Sequence, residues 1–345
     1  MLEDVKKLLK DINTLDGSLL IRSPNWLGDA VMSLPAIKSF KELVGSASLL
    51  IATPQKLSFL WTLCPFVDEI LEMTNSKNIF ENVRKLRKKK DIQMAVLFTR
   101  SFRTALECKL AGIPSVVGYG RTDQSIFLDK RIVIPKSKEP WHQAKTYLFF
   151  SQALGAKADL SLPPLQLPNH WRKTSSPLIV SVCPGAEYGP AKRWFPSHFA
   201  WVCRKLKEKY GCHIQILGGE KDRLPCEQLK KELPEAENLS GKTTLAVFFE
   251  KIFSSHLLLC NDSGAMHVGS LLQTPTVAIF GSTDPQKTAP IGGHCRIIYE
   301  KVDCSPCFLR KCPIDFKCMQ AVEPRKVFEA CDQLLSNQRK SYTSE

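Results

Sequence analysis

The residues with the clearest chemistry in this chain lie between positions 261 and 267, where the sequence is Asn-Asp-Ser-Gly-Ala-Met-His. An apolar run typical of a buried strand precedes them, and an amphipathic run typical of a helix follows. Asp262 and Ser263 are good helix caps, and Gly264 lets the backbone approach a ligand closely. The N–H groups of a helix N-terminus suit a phosphate, and His267 lies about one turn into this helix. This turn is therefore predicted to bind an anionic, phosphorylated substrate.

A second polar loop follows the first predicted strand and contains Arg22, Asn25, Trp26, Gly28 and Asp29. Gly28 permits a tight turn, and Asp29 stands where a helical pattern begins. The carboxylate could take a proton from an attacking hydroxyl, which typically contributes a factor of about 10² to 10⁴ in rate. The alternative is an N-cap, in which the carboxylate would accept a backbone hydrogen bond.

A third loop, residues 183–194, follows a strand of the second half and is framed by glycine and proline. It contains Gly185 and ends in Lys192, Arg193 and Trp194. Such a rigid loop directs its two cations outward, where either could neutralise a leaving diphosphate. The alternative is an ordinary basic surface loop.

A fourth loop contains Glu220, which could either accept hydrogen bonds from a ribose or cap the next helix. Residues 238–243 end like a phosphate-binding Walker loop, but Glu237 stands where that motif needs glycine, which excludes it. No Gly-x-Gly-x-x-Gly follows the first strand, which argues against a dinucleotide-dependent oxidoreductase.

Four of the thirteen cysteines are clustered: Cys304, Cys307, Cys312 and Cys318. Four thiolates could bind zinc or an iron–sulfur cluster, although this spacing matches no common zinc finger. The alternative is a set of reduced packing thiols or adventitious disulfides. The other cysteines are scattered singly, several within apolar strands, as expected of reduced buried thiols.

Length and charge set the outer bounds. With 345 residues and 43% hydrophobic content, the chain is long enough for two domains of about 150 residues each. A net charge of +14 and a pI near 9.2 indicate an anionic partner, such as nucleic acid, an acidic membrane face or a phosphorylated substrate.

The densest basic run, residues 84–90, fits either a solvated helix end or a contact with acidic lipid headgroups. No apolar stretch approaches 18 residues and the first residues lack a signal peptide, so a cytosolic location is expected.

Short apolar strands alternate with helical patterns along the whole chain, which predicts α/β domains with parallel sheets. Residues 160–169 hold three prolines and no periodicity, and they divide the chain into predicted domains 1–165 and 166–345. In doubly wound domains the ligand lies at the carboxyl ends of the strands. A ligand cleft is therefore expected where two such edges face each other.

Taken together, these motifs resemble the heptosyltransferases of lipopolysaccharide core synthesis, glycosyltransferase family 9, from Arg22 to about Leu335. The Trp-Leu-Gly-Asp at 26–29 looks like the acceptor-side loop of that family. The Pro-Gly-Ala-Glu-Tyr-Gly-Pro-Ala-Lys-Arg-Trp at 184–194 closely resembles the signature of its heptosyltransferase II subgroup. The motif at 261–267 is similar to the donor diphosphate site.

The resemblance implies a GT-B fold, α/β with two doubly wound Rossmann-like domains facing a central cleft. The last helix, from Pro324 to about Leu335, could return to the N-terminal domain. The implied reaction is inverting transfer of L-glycero-D-manno-heptose from ADP-heptose to a hydroxyl of the lipid A-linked inner core. By position, Asp29 matches the base and Lys192 the cation beside the phosphates, with no cofactor required.

The same resemblance implies which other residues form each half of the site. The donor side would comprise Asp262, Ser263, Gly264, His267, Gly185, Arg193 and Glu220, and the acceptor side Arg22, Asn25, Trp26 and Gly28. The protein would act at the cytoplasmic surface of the inner membrane through peripheral contact, without nucleic acid. Other readings are a GT-B enzyme with another sugar or acceptor, and a noncatalytic binder of anionic glycolipid. A nucleotide-sugar epimerase ranks last because its glycine fingerprint is missing.

Overall fold

The computed structural model describes residues 15–74, 78–119, 124–135, 141–157, 159–173 and 176–342. The chain divides into two compact units, Met1–Leu167 and Pro168–Glu345. The division falls inside the proline-rich segment predicted to be the linker. Residues 1–14, on which the prediction of no signal peptide rests, lie outside the described ranges.

The first unit contains a parallel sheet of six strands in the order β3-β2-β1-β4-β5-β6. The strands are β1 (Ser18–Arg22), β2 (Ser48–Pro54), β3 (Glu69–Met73), β4 (Ile92–Leu97), β5 (Ser115–Tyr119) and β6 (Lys130–Ile132). The helices are α1 (Leu27–Val44), α2 (Ser58–Thr62), α3 (Ile79–Arg87), α4 (Phe102–Leu110) and α5 (Gln143–Ala153). The order reverses between β1 and β4, so the sheet is doubly wound and β1 lies at its switch point.

Burial explains why the central strands form where the apolar runs predict them. Every residue of β1 is buried, as expected of a parallel strand that helices cover on both faces. Helix α1 packs against α5, and the ring of Phe98 contacts Tyr147 and Phe150 of α5 at centroid distances of 5.5 and 5.4 Å. These contacts hold the buried face of α5 against α1 and against the end of β4.

The second unit repeats this architecture, with a parallel sheet in the order β12-β11-β10-β7-β8-β9. Its strands are β7 (Ile179–Cys183), β8 (His213–Ile216), β9 (Glu237–Asn238), β10 (Leu257–Asn261), β11 (Thr276–Phe280) and β12 (Cys295–Tyr299). Its helices are α6 (Pro196–Tyr210), α7 (Arg223–Glu232), α8 (Leu245–Phe253), α9 (Gly264–Leu271), α10 (Pro285–Thr288), α11 (Lys317–Gln320) and α12 (Pro324–Tyr342). The prediction of two doubly wound α/β domains is confirmed, and the second switch point lies between β7 and β10.

The last helix, α12, packs within the second unit. Val327, Cys331 and Leu335 recur at helical spacing, and all three are buried in the core cluster that covers the second sheet. The helix contacts α6 and the strands β10, β11 and β12. The apolar stripe of this helix therefore completes the core of the second unit, and its return to the N-terminal domain remains a prediction.

The basic run at 84–90 lies at the end of α3. Arg84, Lys85 and Arg87 occupy the last turn, where cations interact favourably with the helix dipole. Lys85 donates to the carbonyl of Glu72 at 2.8 Å, and Arg87 donates to the carbonyl of Leu110 at 2.7 Å. The helix-end interpretation of this run is therefore correct for these side chains. Over the part of the chain that the structure describes, no helix has the length and apolar character needed to cross a membrane.

Candidate functional site

Two loops meet at the switch point of the second sheet and bring a lysine against an aspartate. Lys192 follows β7, and Asp262 follows the neighbouring strand β10. The Nζ of Lys192 lies 2.6 Å from Oδ2 of Asp262, and both side chains are buried. Ligands of doubly wound sheets bind at this point of the topology, in the crevice outside the carboxyl ends of the strands.

Asn261 holds these two loops together. Its Oδ1 accepts a hydrogen bond from the backbone N–H of Trp194 at 3.0 Å, and its Nδ2 donates to the carbonyl of Pro184 at 2.8 Å. The residue is fully buried, so both bonds are shielded from water. The sequence analysis did not single out Asn261 as a positioning residue, although it heads the motif.

Lys192 and Asp262 each have a further partner. The hydroxyl of Thr283, just after β11, donates to Oδ2 of Asp262. The Nζ of Lys192 lies 4.7 Å from the centroid of the Tyr188 ring, within cation–π range. Thr283 has no sequence signal, because the loop after β11 carries no motif. Tyr188 lies within the motif at 184–194, but its spacing alone does not indicate a contact with Lys192.

The helix α9 begins directly after this pair, as predicted. Ser263 is the N-cap residue, its side chain makes no capping hydrogen bond, and Gly264 is the first helical residue. The eight-residue helix places His267 in its first turn, where the side chain is buried. The first N–H groups of this helix lie beside Asp262 in the chain, so the helix dipole adds positive potential at the same corner.

Gly185 and Arg193 lie in the loop that carries Lys192. A Cβ at position 185 would overlap the carboxyl group of Asp222, so glycine is required there for packing. An Nη atom of Arg193 donates to the carbonyl of Ala186 at 3.4 Å. Burial raises the pKa of Asp222, while the N–H of Gly219 and the charge of Arg193 lower it.

Glu220 does not have the capping role that the sequence left open. The acidic cap of its turn is Asp222, whose Oδ2 accepts from the N–H of Gly219 at 3.2 Å. Glu220 instead pairs with Arg223 at 2.9 Å, and 71% of its side chain is exposed. An exposed acid with a surface partner contributes little to stability, so the ribose contact remains a prediction.

Asp29 lies at the third position of α1 in the first unit. The N-cap residue of this helix is Trp26, which makes no side-chain cap, so the N-cap alternative for Asp29 is wrong. The hydroxyl of Tyr147 donates to Oδ1 of Asp29 at 3.0 Å. Burial and the nearby charge of Asp29 hold the pKa of Tyr147 well above its usual value, so this phenol stays a donor. The sequence analysis missed Tyr147, which lies more than a hundred residues away in α5.

The other predicted acceptor-side residues differ in burial. Arg22 ends β1 and is buried, and its Nη2 donates to Oε2 of Glu107 at 3.0 Å. Asn25 is exposed, Gly28 is the second residue of α1, and the exposed ring of Trp26 lies under the ammonium of Lys56 at 5.2 Å. The loop thus combines one buried cation with residues that face solvent.

The four clustered cysteines lie in the loop between β12 and α12 and in α11. Cys304 and Cys307 are exposed, Cys312 is half-buried and Cys318 is buried. Within the described ranges, no three His, Cys, Asp or Glu side chains are grouped closely enough to hold a metal ion. This geometry does not support the four-thiolate site that the spacing left open.

Two doubly wound parallel sheets in one chain are the architecture of the GT-B fold. The chain belongs to glycosyltransferase family 9 (heptosyltransferase), whose family model matches residues 79–317. It is similar to lipooligosaccharide heptosyltransferase 2 of Campylobacter jejuni, with 33% identity over 92% of this chain and 98% of that protein. It is also 28% identical to lipopolysaccharide heptosyltransferase 2 of Escherichia coli K12, over 81% of this chain and 87% of the relative.

A solved structure supports the same assignment. The structure of E. coli ADP-heptose lps heptosyltransferase II matches with a TM-score of 0.78 and 25% identity, over 93% of this chain and 99% of that chain. The chain is therefore a glycosyltransferase, and the resemblance drawn from the three motifs is confirmed. The family match begins at residue 79, so the loop that contains Asp29 lies outside it.

Proposed function

We propose that this enzyme transfers L-glycero-D-manno-heptose from ADP-heptose to a hydroxyl of the lipopolysaccharide inner core, with inversion at the anomeric carbon. The observation that carries the proposal is the buried pair of Lys192 and Asp262 beside the N-terminus of α9. A cation and helix N–H groups at a switch point suit a nucleoside diphosphate. The relatives named for ADP-heptose and for lipopolysaccharide supply the identity of donor and acceptor.

The second unit binds the donor in this proposal. The N–H groups at Ser263 and Gly264 donate to the diphosphate, and Lys192 neutralises the charge that grows on it as ADP leaves. Asp262 orients Lys192 through their ion pair. His267, one turn into the helix, contacts the same phosphates. Gly185, Arg193 and Glu220 belong to the loops that border the nucleotide.

The first unit binds the acceptor through the loop that holds Arg22, Asn25, Trp26 and Gly28. Asp29 removes the proton of the acceptor hydroxyl while its oxygen attacks the anomeric carbon. The bond between that carbon and the diphosphate oxygen breaks, and ADP leaves with the electron pair. The hydrogen bond from Tyr147 fixes the orientation of the carboxylate and stabilises its charge.

The proposal requires no cofactor, because Lys192 and the helix N-terminus supply the positive charge. Cys304, Cys307, Cys312 and Cys318 have no part in the chemical step. Addition of a chelator should accordingly leave the rate of transfer unchanged.

Mass spectrometry of the product tests the function directly. The full chain is incubated with ADP-heptose and a truncated core acceptor, and with matched nucleotide sugars in parallel. One added heptose together with stoichiometric ADP supports the proposal. Transfer from another nucleotide sugar, but not from ADP-heptose, would show a GT-B enzyme of different specificity. Binding of the core acceptor without any ADP release would favour the noncatalytic binder.

We further propose that the enzyme works at the cytoplasmic surface of the inner membrane through peripheral contact. The net charge of +14 and the exposed lysines near the end of α3 favour attraction to anionic lipids. Such a contact is screened by salt. Protein added to anionic vesicles should sediment with them at low ionic strength and be released at about 1 M salt. Retention at that salt concentration would contradict an electrostatic contact.

A further inference from the structure

A pocket of about 120 Å³ lies at the carboxyl edge of the first sheet. It is lined by the ends of β1, β2 and β3 and by the start of α4, which follows β4. The order of this sheet reverses between β1 and β4, so the pocket lies at the switch point of the first unit. Ligands of doubly wound sheets bind at such a position.

Arg22 reaches this pocket from the last position of β1. About a tenth of its side chain is exposed, and one guanidinium nitrogen, Nη2, donates to Glu107. The other, Nη1, is buried and has no hydrogen-bond partner. A buried donor without an acceptor is costly, so a ligand oxygen that accepted from it would recover that cost.

The carboxylate that pairs with Arg22 is shared with other donors. Glu107 accepts from Arg22 and also from Nε of Arg103, at 2.8 Å, and from Nδ2 of Asn82, at 2.9 Å. Two guanidinium groups therefore bond one buried carboxylate, so Glu107 is shared and does not pair with Arg22 alone. Burial lowers the pKa of Arg22, as expected of a cation that lacks full compensation.

The N-terminus of α4 adds to this positive potential. Ser101 is its N-cap residue, and Ser101, Arg103 and Thr104 of the first turn line the pocket. The helix has nine residues, and the N–H groups of a first turn attract anions. The helix end and the unsatisfied Arg22 are independent features that favour the same kind of ligand.

We propose that this pocket binds an oxyanion carried by the sugar acceptor, either a carboxylate or a phosphate group. The acceptor role rests on the proposed function, whereas anion binding does not. The oxyanion accepts from Arg22 and from the first turn of α4, and the exposed Asn25 and the hydroxyl of Thr74 at the pocket border can bond the adjoining sugar hydroxyls. Holding the acceptor by its charge would place its neutral hydroxyl towards the loop that contains Asp29.

Calorimetric titration of the full chain, without any donor, tests the pocket. The probes are glucuronate, glucose 6-phosphate and glucose, which share a ring and differ in charge. The proposal is supported if either anionic sugar binds at least about tenfold more tightly than glucose. A tenfold difference in the dissociation constant corresponds to about 1.4 kcal/mol. The tighter of the two identifies the group as a carboxylate or a phosphate. Equal or absent binding of all three sugars would overturn it.

Variants locate the binding. Arg22→Lys keeps a cation beside Glu107 but loses the planar pair of guanidinium donors. The dissociation constant of the anionic sugar should rise at least about tenfold. Arg87→Lys is the matched control, because that guanidinium bonds the carbonyl of Leu110 outside the pocket. If Arg22→Lys does not fold, Asn25→Asp at the exposed border of the pocket is used instead, and its negative charge should weaken binding of the anionic sugar by repulsion. Unchanged affinity in the folded variant would overturn the site.

The two proposals fail separately. Heptose transfer by an enzyme that binds no anionic sugar in the pocket would overturn only the acceptor pocket. Anion binding that depends on Arg22, in a chain that transfers no heptose, would leave the pocket in place and remove the proposed reaction.

Discussion

The ammonium of Lys192 and the carboxylate of Asp262 form an ion pair at 2.6 Å, with side-chain exposures of 11% and 4%. They come from loops after two neighbouring strands, and Asn261 at the end of β10 bonds the loop that carries Lys192. A buried pair of this kind gains little net stability, since desolvation offsets attraction, but loss of one partner is costly. The pair therefore serves to hold a lysine with four rotatable bonds in one orientation before a ligand arrives.

Breaking the pair should destabilise the protein strongly. Asp262→Asn leaves the lysine charge uncompensated, and Lys192→Met does the same for the aspartate, each at a cost of about 3–5 kcal/mol. The double variant should lose less unfolding free energy than the two single variants lose together. Denaturant unfolding followed by circular dichroism gives this free energy for the wild type, both single variants and the double variant, which form a double-mutant cycle.

A surface pair provides the control for this cycle. Lys209 lies 2.6 Å from Asp332, but half of the lysine side chain is exposed. Lys209→Met should therefore change the free energy of unfolding much less than Lys192→Met does. A coupling energy near zero between Lys192 and Asp262 would contradict their role as a buried pair.

Lys192 should matter to the chemical step as well as to stability. Lys192→Met removes the cation proposed to face the leaving diphosphate, so kcat should fall about 10²- to 10³-fold. Steady-state kinetics with saturating acceptor give kcat and the donor KM. Lys209→Met, the same substitution at a surface position, is the control. Wild-type kcat and donor KM in folded Lys192→Met protein would refute the proposed role.

Asp29→Asn tests the proposed base. The amide has the same shape and still accepts from the hydroxyl of Tyr147, but it cannot take up a proton. Turnover should fall about 10²- to 10⁴-fold while the dissociation constant of ADP stays unchanged, because the donor binds in the second unit. Asp159→Asn, at an exposed position, is the control. The base assignment is wrong if Asp29→Asn turns over like the wild type.

Tyr147→Phe separates positioning from packing. The ring remains in its contact with Phe98, and only the hydrogen bond to Asp29 is lost, which for a charged acceptor is worth about 1.5–3 kcal/mol. We expect kcat/KM to fall about tenfold or more. The acid limb of its pH profile should move to higher pH, because a carboxylate without that donor is protonated more readily. A role in packing alone would leave the pH profile in place.

The matched control is Tyr210→Phe, since the hydroxyl of Tyr210 also bonds a carboxylate, that of Asp332. This variant loses the same kind of hydrogen bond in the second unit. Its pH profile should coincide with that of the wild type.

The sequence predicted the elements that have a continuous apolar run. Strand β11 lies where the run Thr276–Phe280 predicts it, and α9 begins at Gly264 as the cap pattern indicates. It did not predict β9, which has two residues, or β12, which is partly exposed and lacks a clear pattern. Edge strands of this kind form because a neighbouring strand offers hydrogen bonds, and that neighbour is not visible in local sequence.

The same limit applies to the site. Lys192, Asp262 and Ser263 were found because each stands in a motif directly after a strand. Thr283 and Tyr147 were not, because each acts through a residue far away in the chain. Glu220 shows the same limit, since a local pattern cannot distinguish a residue that borders a cleft from one on the outside of a turn. Local spacing thus identifies residues with recognisable chemistry better than the residues that hold them in place.

Alkaline pH should destabilise this protein through its buried thiols. Burial raises the pKa of Cys64, Cys108 and Cys226 to about 12. An unfolded thiol titrates near pH 8.5–9, so the folded state binds these protons more tightly than the unfolded state does. The stabilising contribution is complete below about pH 8.5 and is lost progressively as the pH rises towards about 12. The melting temperature should therefore fall across this range.

One substitution measures the share of a single thiol. Cys108→Ala removes a fully buried group, so the fall in unfolding free energy with pH should be shallower than in the wild type by up to about 1.4 kcal/mol per pH unit. Cys304→Ser, which changes an exposed thiol, is the control for the loss of a cysteine. Thermal unfolding at half-unit steps from pH 8 to pH 11 gives the slope of unfolding free energy against pH for each protein. The cavity left at position 108 also lowers stability, but this cost does not depend on pH and so does not change the slope. If Cys108→Ala and the wild type have the same slope, the thiol at position 108 titrates alike in the folded and unfolded states.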